Sequence, residues 1–145
     1  MAIFSLAIFF ITLDRFLKIF ALSVLQNKTI YIINDVLQFQ FAKNYYIAFS
    51  LPLSGKILNI FIILIIFVLI FLIKKEILKK ENYQFFILIF ITLGAISNLY
   101  DRIVYGYVID YIYLKYFTIF NVADMLITLP TSYFITKELF KKTNN

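Results

Sequence analysis

The chain has 145 residues, 63% hydrophobic and 15% charged, with a mean hydropathy of +0.90, whereas a soluble domain is roughly half apolar and a quarter charged. One soluble core cannot hide that much apolar surface, so the sequence reads as a single-unit integral membrane protein. Cys and His are absent, excluding thiol nucleophiles, disulfides, Ser-His-Asp triads and His-ligated metals, and the net charge of +6 suits anionic lipid better than nucleic acid, since no basic run interleaves with a binding motif.

A transmembrane helix needs about 20 mainly apolar residues, and four segments qualify. Residues 2–26 are apolar except for Asp14, Arg15 and Lys18. They lack the basic n-region and A-x-A site of a cleaved signal peptide, and the three charges break the apolar run, so a permanent helix is expected. Residues 29–50 are rich in Ile, Tyr, Val and Phe and include the alternating stretch Leu37-Gln38-Phe39-Gln40-Phe41, which predicts a small β-structure at the membrane surface. Leu51-Pro52-Leu53-Ser54-Gly55 reads as a turn into a second span over 57–73, almost pure Ile, Leu, Phe and Val. The third span, 83–100, carries no charge; the fourth, 116–136, has Asp124 as its one ionisable residue and Pro130 as an expected kink. Lys74, Lys75, Lys79 and Lys80 crowd the connection between the second and third spans, and Lys137, Lys141 and Lys142 follow the fourth. The positive-inside bias therefore puts both termini in the cytoplasm and the two longer connections outside.

Ionisable groups at membrane depth cost at least about 2.5 to 3.5 kcal/mol at mid-bilayer and usually face the bundle interior. Asp14 and Lys18 stand one turn apart and share a face. They form either an internal salt bridge that eases insertion or a pair beside a site. At about 1.5 Å per residue, Asp14 lies about 18 Å along the helix from Ala2, beyond the midplane toward the outside. Gly94 and Asn98 would let two helices approach closely, with an amide bonding across the contact, and Asp101-Arg102 would make an interfacial anchor. Asp110 is expected near the outer surface and Asp124 a couple of turns into the returning helix, so both carboxylates can meet in the outer leaflet. Two carboxyls partly withdrawn from water share a proton, one acting as base and the other as acid. That arrangement can activate water against an amide without a nucleophilic side chain or a metal.

The segment Gly94-Ala95-Ile96-Ser97-Asn98-Leu99-Tyr100-Asp101-Arg102, then Gly106-Tyr107-Val108-Ile109-Asp110, then Phe120-Asn121-Val122-Ala123-Asp124 resembles signal peptidase II, the bacterial lipoprotein signal peptidase. Members of that family carry G-x-x-x-N-x-x-D-R, G-x-V-x-D and F-N-x-A-D in this order. Asp14-x-x-x-Lys18, and Asn44 before Ala48-Phe49-Ser50, are similar to two earlier motifs. The resemblance implies an all-α membrane protein, one four-helix peptidase domain over 1–145, with a small extracytoplasmic β-cradle between the first and second helices. It implies an aspartyl endopeptidase that cuts diacylglyceryl prolipoproteins before the lipidated cysteine, with Asp110 and Asp124 as the catalytic dyad. Asn44, Asn98, Arg102 and Asn121, with Asp14 and Lys18, would line or support the site. The implied setting is the bacterial inner membrane, with the site toward the extracytoplasmic leaflet. Lipid and prolipoprotein are the implied partners and globomycin the implied inhibitor, and the enzyme is expected to act as a monomer without cofactor, metal or nucleic acid. Tyr46, Leu93 and Ser97 stand where the family commonly has Gly, substitutions that bear on the shape of the groove.

Three other functions compete. Intramembrane Asp and Lys can mark an ion path in a transporter or channel subunit, but here the charges collect near one face instead of forming a chain across. A scaffold that binds lipoproteins without cutting them conflicts with the two carboxylates. A Ser/Lys protease would use Ser50 or Ser54 with Lys56, and Ser54-x-Lys56 has no helical framing to align it.

Overall fold

The computed structural model describes residues 2–46, 54–77 and 83–143. In chain order these form α1 (Ala2–Val24), β1 (Ile30–Ile33), β2 (Leu37–Asn44), α2 (Gly55–Ile77), α3 (Tyr83–Tyr105), β3 (Val108–Leu114), β4 (Ile119–Phe120) and α4 (Val122–Thr143). The architecture is thus mostly helical with one small antiparallel sheet, ordered β1-β2-β3-β4.

The helices bury polar groups and expose apolar ones. On α1, Asp14 and Lys18 are 0% and 1% exposed while Phe16 and Ile19 are 64% and 63% exposed. That is the reverse of a soluble helix and the pattern expected where lipid is the solvent. Helix α2 is apolar on every side, with Lys74 and Lys75 in its last turn, where cations suit the helix dipole. Both α2 and α3 are long and apolar enough to cross a membrane; at 23 residues each they reach about 35 Å, against a hydrocarbon core of about 30 Å.

Several element limits differ from those read in the sequence. The first helix stops at Val24 instead of 26, the second runs over Gly55–Ile77 instead of 57–73, and the third continues to Tyr105 instead of 100. Asp101 and Arg102 therefore lie inside α3, because their charges find partners there. What stops the helix is Gly106, at φ +81, whose N–H bonds back to Arg102 O at 3.2 Å. This left-handed residue just past the helix end closes off its orphan carbonyls. The expected fourth span begins at Val122, not 116. Residues 108–120 fold instead as a β3–β4 hairpin, with Tyr116 in the left-handed region at φ +71. A short apolar run suits strand and helix equally, so hydropathy alone could not separate them. Half of the sheet consequently comes from the connection between α3 and α4, not only from the one between α1 and α2. Within the expected β region 29–50, strands cover 30–33 and 37–44, and residues 47–50 lie outside the described ones, as do Leu51, Pro52 and Leu53 of the expected turn. Helix α4 runs unbroken through Pro130.

Strand β3 is the hinge between sheet and bundle. Its first four residues are buried, and Ile109 and Tyr111 join Ala21 and Leu25 near the end of α1 and Val122 and Leu126 of α4 in one apolar cluster. Against β2 its register shifts by one: Phe39 faces Ile112, but Ala42 faces Asp110 and Asn44 faces Val108. One extra residue in β2 makes this a β-bulge.

Helices α3 and α4 approach each other closely at Gly94. A Cβ there would stand 2.5 Å from Ala123 O and 2.9 Å from Ile127 Cγ1. Gly94→Ala should therefore destabilise the detergent-solubilised protein by about 1–3 kcal/mol through overpacking, read as a lowered thermal midpoint. Ile96→Ala, on the exposed side of the same helix, should shift the midpoint little; equal shifts for the two variants would count against this contact.

Candidate active site

Two polar residues at the start of α4, with Asp110 of β3, organise the site. Asn121, fully buried, is the N-cap of α4: its Oδ1 accepts from Asp124 N at 2.8 Å, and Asp124 Oδ2 accepts from Asn121 N at 3.1 Å. This reciprocal pair is a capping box built with amide and carboxylate. Asp124 therefore occupies the first turn of α4, not the second or third as its position in a span from 116 suggested. The Asn121 amide Nδ2 also donates to Asp110 Oδ1 at 2.6 Å and to Ile109 O at 3.3 Å. One residue thus bonds both carboxylates, Asp110 from β3 through its side-chain amide and Asp124 from α4 through its backbone N–H.

The other carboxylate oxygens are held by two further amides. Asn44, at the end of β2, donates from Nδ2 to Asp110 Oδ2 at 3.0 Å. Asn98 of α3 donates from Nδ2 to Asp124 Oδ1 at 2.7 Å. Asp110 is 2% exposed, whereas Asp124 is half-buried. Burial, joined by repulsion from Asp124, pushes the Asp110 carboxyl up to about 7, against the pull of the Asn44 and Asn121 amides and of the Lys18 charge. Burial and a neighbouring carboxylate thus favour the protonated form of Asp110 up to neutral pH.

Asp14 and Lys18 form the expected pair at 3.2 Å, but within a larger cluster. Lys18 Nζ also meets Asp101 Oδ2 at 2.7 Å, Asn98 Oδ1 at 2.8 Å and Ser97 Oγ at 3.4 Å. Arg15 bonds Asp101 at 2.8 Å and Asp14 at 3.3 Å. Two buried carboxylates thus face two cations, with the remaining lone pairs engaged, the condition under which buried charge is tolerated. Asp101 is fully buried and accepts from Ile109 N at 3.2 Å, so it ties α3 to β3 and α1 and is not the interfacial anchor it was expected to be. Arg102, partly buried, donates from Nη2 to Tyr46 O at 2.7 Å and so holds the chain just beyond β2.

All eight residues singled out in the sequence lie at this end of the bundle: Asp110, Asp124, Asn44, Asn98 and Asn121 in direct contact, Asp14 and Lys18 behind Asn98, and Arg102 at the rim. Sequence reasoning gave no role to Arg15 or Tyr111 and treated Ser97 as a departure. Gly94, Ser97, Asn98 and Asp101 recur at i, i+3, i+4 and i+7, a polar stripe on an apolar helix that would have revealed Ser97 and Asp101. Ser97 donates to Asp14 Oδ2 at 2.6 Å, work that glycine could not do. Ser54 and Lys56 are exposed at the start of α2, and Ser50 lies outside the described residues. Among the described residues no group of His, Cys, Asp and Glu is placed to hold a metal ion.

The family described as Signal peptidase (SPase) II matches residues 6–140. Proteins named lipoprotein signal peptidase are similar over most of the chain. That of Pelagibacter ubique is 37% identical over 142 residues, covering 90% of this chain and 85% of the relative. That of Caldicellulosiruptor bescii is 36% identical over 129 residues, 87% and 85%, and that of Pelodictyon phaeoclathratiforme 33% over 142 residues, 87% and 83%. A bacterial membrane enzyme solved by the in meso method at 2.3 Å shares the fold, with a TM-score of 0.83 over 99% of this chain and 91% of that one at 22% identity. Motif order, polar cluster, fold and sequence similarity agree: the chain belongs to the signal peptidase II family.

Proposed function

We propose that this protein is an aspartyl endopeptidase that removes the signal peptide from diacylglyceryl-modified prolipoproteins, cutting on the N-terminal side of the lipidated cysteine. The observation that carries this reading is the pair of carboxylates, Asp110 and Asp124, both bound to Asn121, one through its side-chain amide and the other through its backbone N–H, and each held by a further asparagine amide. In the proposed reaction the pair shares one proton. Its ionised member takes a proton from water as the water oxygen attacks the scissile carbonyl, and its protonated member donates to the carbonyl oxygen. When the tetrahedral intermediate breaks down, the C–N bond opens, the departing cysteine nitrogen takes the proton that the base drew from water, and the hydroxyl formed from the carbonyl oxygen returns its proton to the other carboxylate as C=O re-forms. No cofactor enters the scheme.

Asn44, Asn98 and Asn121 set the orientation of the two carboxylates, and Arg102 would hold the peptide-side rim in place through Tyr46. Lys18 donates only, so Asn98 must turn its carbonyl toward Lys18 and its NH2 toward Asp124. We read all four helices as spanning the bacterial inner membrane, both termini cytoplasmic, with the sheet and the dyad at the extracytoplasmic leaflet, where the substrate's lipid anchor would lie. The working unit would be a monomer in lipid.

Cleavage of a diacylglyceryl precursor by the purified protein in detergent tests the reading, and release of the signal peptide should be blocked by globomycin. Asp110→Asn and Asp124→Asn should each abolish turnover while leaving the protein inserted and folded; substantial cleavage by either variant would refute the dyad.

The raised Asp110 carboxyl also sets a pH dependence. Its proton binds more tightly in the folded chain than at the ordinary value of 3.8, up to about 7, so the folded state carries the extra proton between those values. Stability should then fall as pH rises through that window. Turnover should decline on the alkaline side of about 7, as the shared proton is lost. A pH–rate profile flat from 6 to 9 (roughly the range that titrates the pair) would contradict this assignment.

A further inference from the structure

The first N–H groups of a helix have no partner within it, and at the start of α4 they are received by three side chains, one from β3, one from α1 and one from the N-cap itself. Val122 N donates to the Tyr111 hydroxyl at 3.1 Å, Ala123 N to Asp14 Oδ1 at 3.1 Å and Asp124 N to Asn121 Oδ1 at 2.8 Å. The first two acceptors are themselves joined, since the Tyr111 hydroxyl donates to Asp14 Oδ1 at 3.2 Å. Tyr111 is 1% exposed, and its ring stacks on Phe39 within the apolar cluster. A phenylalanine would fill the same space. The hydroxyl is therefore the part that packing does not require, and a buried hydroxyl is costly unless bonded. Here it is used in both directions, as acceptor and as donor. Burial and the Asp14 charge push its ionisation above the ordinary phenol range, so it keeps the proton it donates.

The bond from Val122 N to Tyr111 ties together the same two segments that carry the carboxylates, one residue from Asp110 on β3 and two from Asp124 on α4. Asp110 and Tyr111 are successive residues of a strand, so their side chains leave it in opposite directions. Asn121 grips β3 through Asp110 and Ile109 O, and Tyr111 reaches the helix from the other side. One tether would leave the helix start free to pivot about β3, whereas two on opposite sides fix it.

We propose that Tyr111 is a positioning residue for the reaction proposed above: its hydroxyl, by receiving the first N–H of α4 while donating to Asp14, sets the distance between Asp124 and Asp110. The inference rests on the dyad reading. Its effect is on geometry at the reacting atoms and not on the groove that binds the peptide.

Tyr111→Phe in the full-length, detergent-solubilised protein should lower kcat about tenfold, with KM for the diacylglyceryl precursor changed less than about twofold. Leu25→Ala, in the same apolar cluster but with no hydrogen bond to the helix start, serves as the stability control: it should lower the thermal midpoint at least as much while leaving kcat unchanged. A second variant removes the other end of the bond. Val122→Pro lacks the N–H but suits the first helical position, so it should lower kcat similarly, and the double variant should lose no more than either single one. Wild-type kcat in Tyr111→Phe, an equal kcat loss in Leu25→Ala, or additive losses in the double variant would each overturn the proposal. If Asp110→Asn and Asp124→Asn are inactive in those same preparations, such a result removes the role of Tyr111 alone; if they cut, the dyad reading fails first.

Discussion

An ammonium group shut away from water must be surrounded by acceptors, and Lys18 sets this demand on the end of the bundle nearest the sheet. Its three donors are met by the carboxylates of Asp14 and Asp101, the Ser97 hydroxyl and the Asn98 carbonyl. Meeting it draws α1 against α3, and Asp14 in turn reaches β3 through Tyr111 and α4 through Ala123 N. The helices have little apolar driving force for one another if their surroundings are lipid. Polar contacts such as these, with the close approach at Gly94, then specify which faces meet. The same cluster fixes the orientation of Asn98 and so passes a structural requirement on to Asp124.

Much of this was legible in the sequence. Apolar runs located the helices, and charge inside such runs marked Asp14, Lys18 and Asp124 as residues that must face inward. The motif spacing that resembles the signal peptidase II family located Asn98, Asp110 and Asn121. The β3–β4 hairpin was not legible, because Tyr116, Phe117, Ile119 and Phe120 add to hydropathy whether they pair as strand and turn or coil as helix. Asp101 was misread for a related reason: next to Arg102 at the expected end of a span it resembles a surface pair, and only the partners on α1 show that it is interior. Tyr111 carried no signal, since an aromatic residue in an apolar strand reads as core.

The position of Asp124 in the first turn of α4 has its own electrostatic meaning. A carboxylate there lies at the positive end of the helix dipole and accepts from the N-cap N–H of Asn121, while Asp110 lies on a strand that offers no comparable field. Placing one aspartate in each setting makes two chemically identical side chains unequal, as an acid–base pair requires.

The bulge in β2 couples loop length to chemistry. Side chains of a strand alternate, so pairing partners share a face and a slip of one residue transfers every side chain to the other. Carried on unchanged from Phe39 opposite Ile112, the pairing would set Asn44 opposite Tyr107, on the Tyr111 side of β3; the extra residue sets it opposite Val108, on the Asp110 side. Counting parity, not hydrophobicity, therefore decides whether Asp110 has its amide. If the same residues paired without the bulge, the two strands would still form a regular ladder, but its asparagine would point away from the carboxylate it serves.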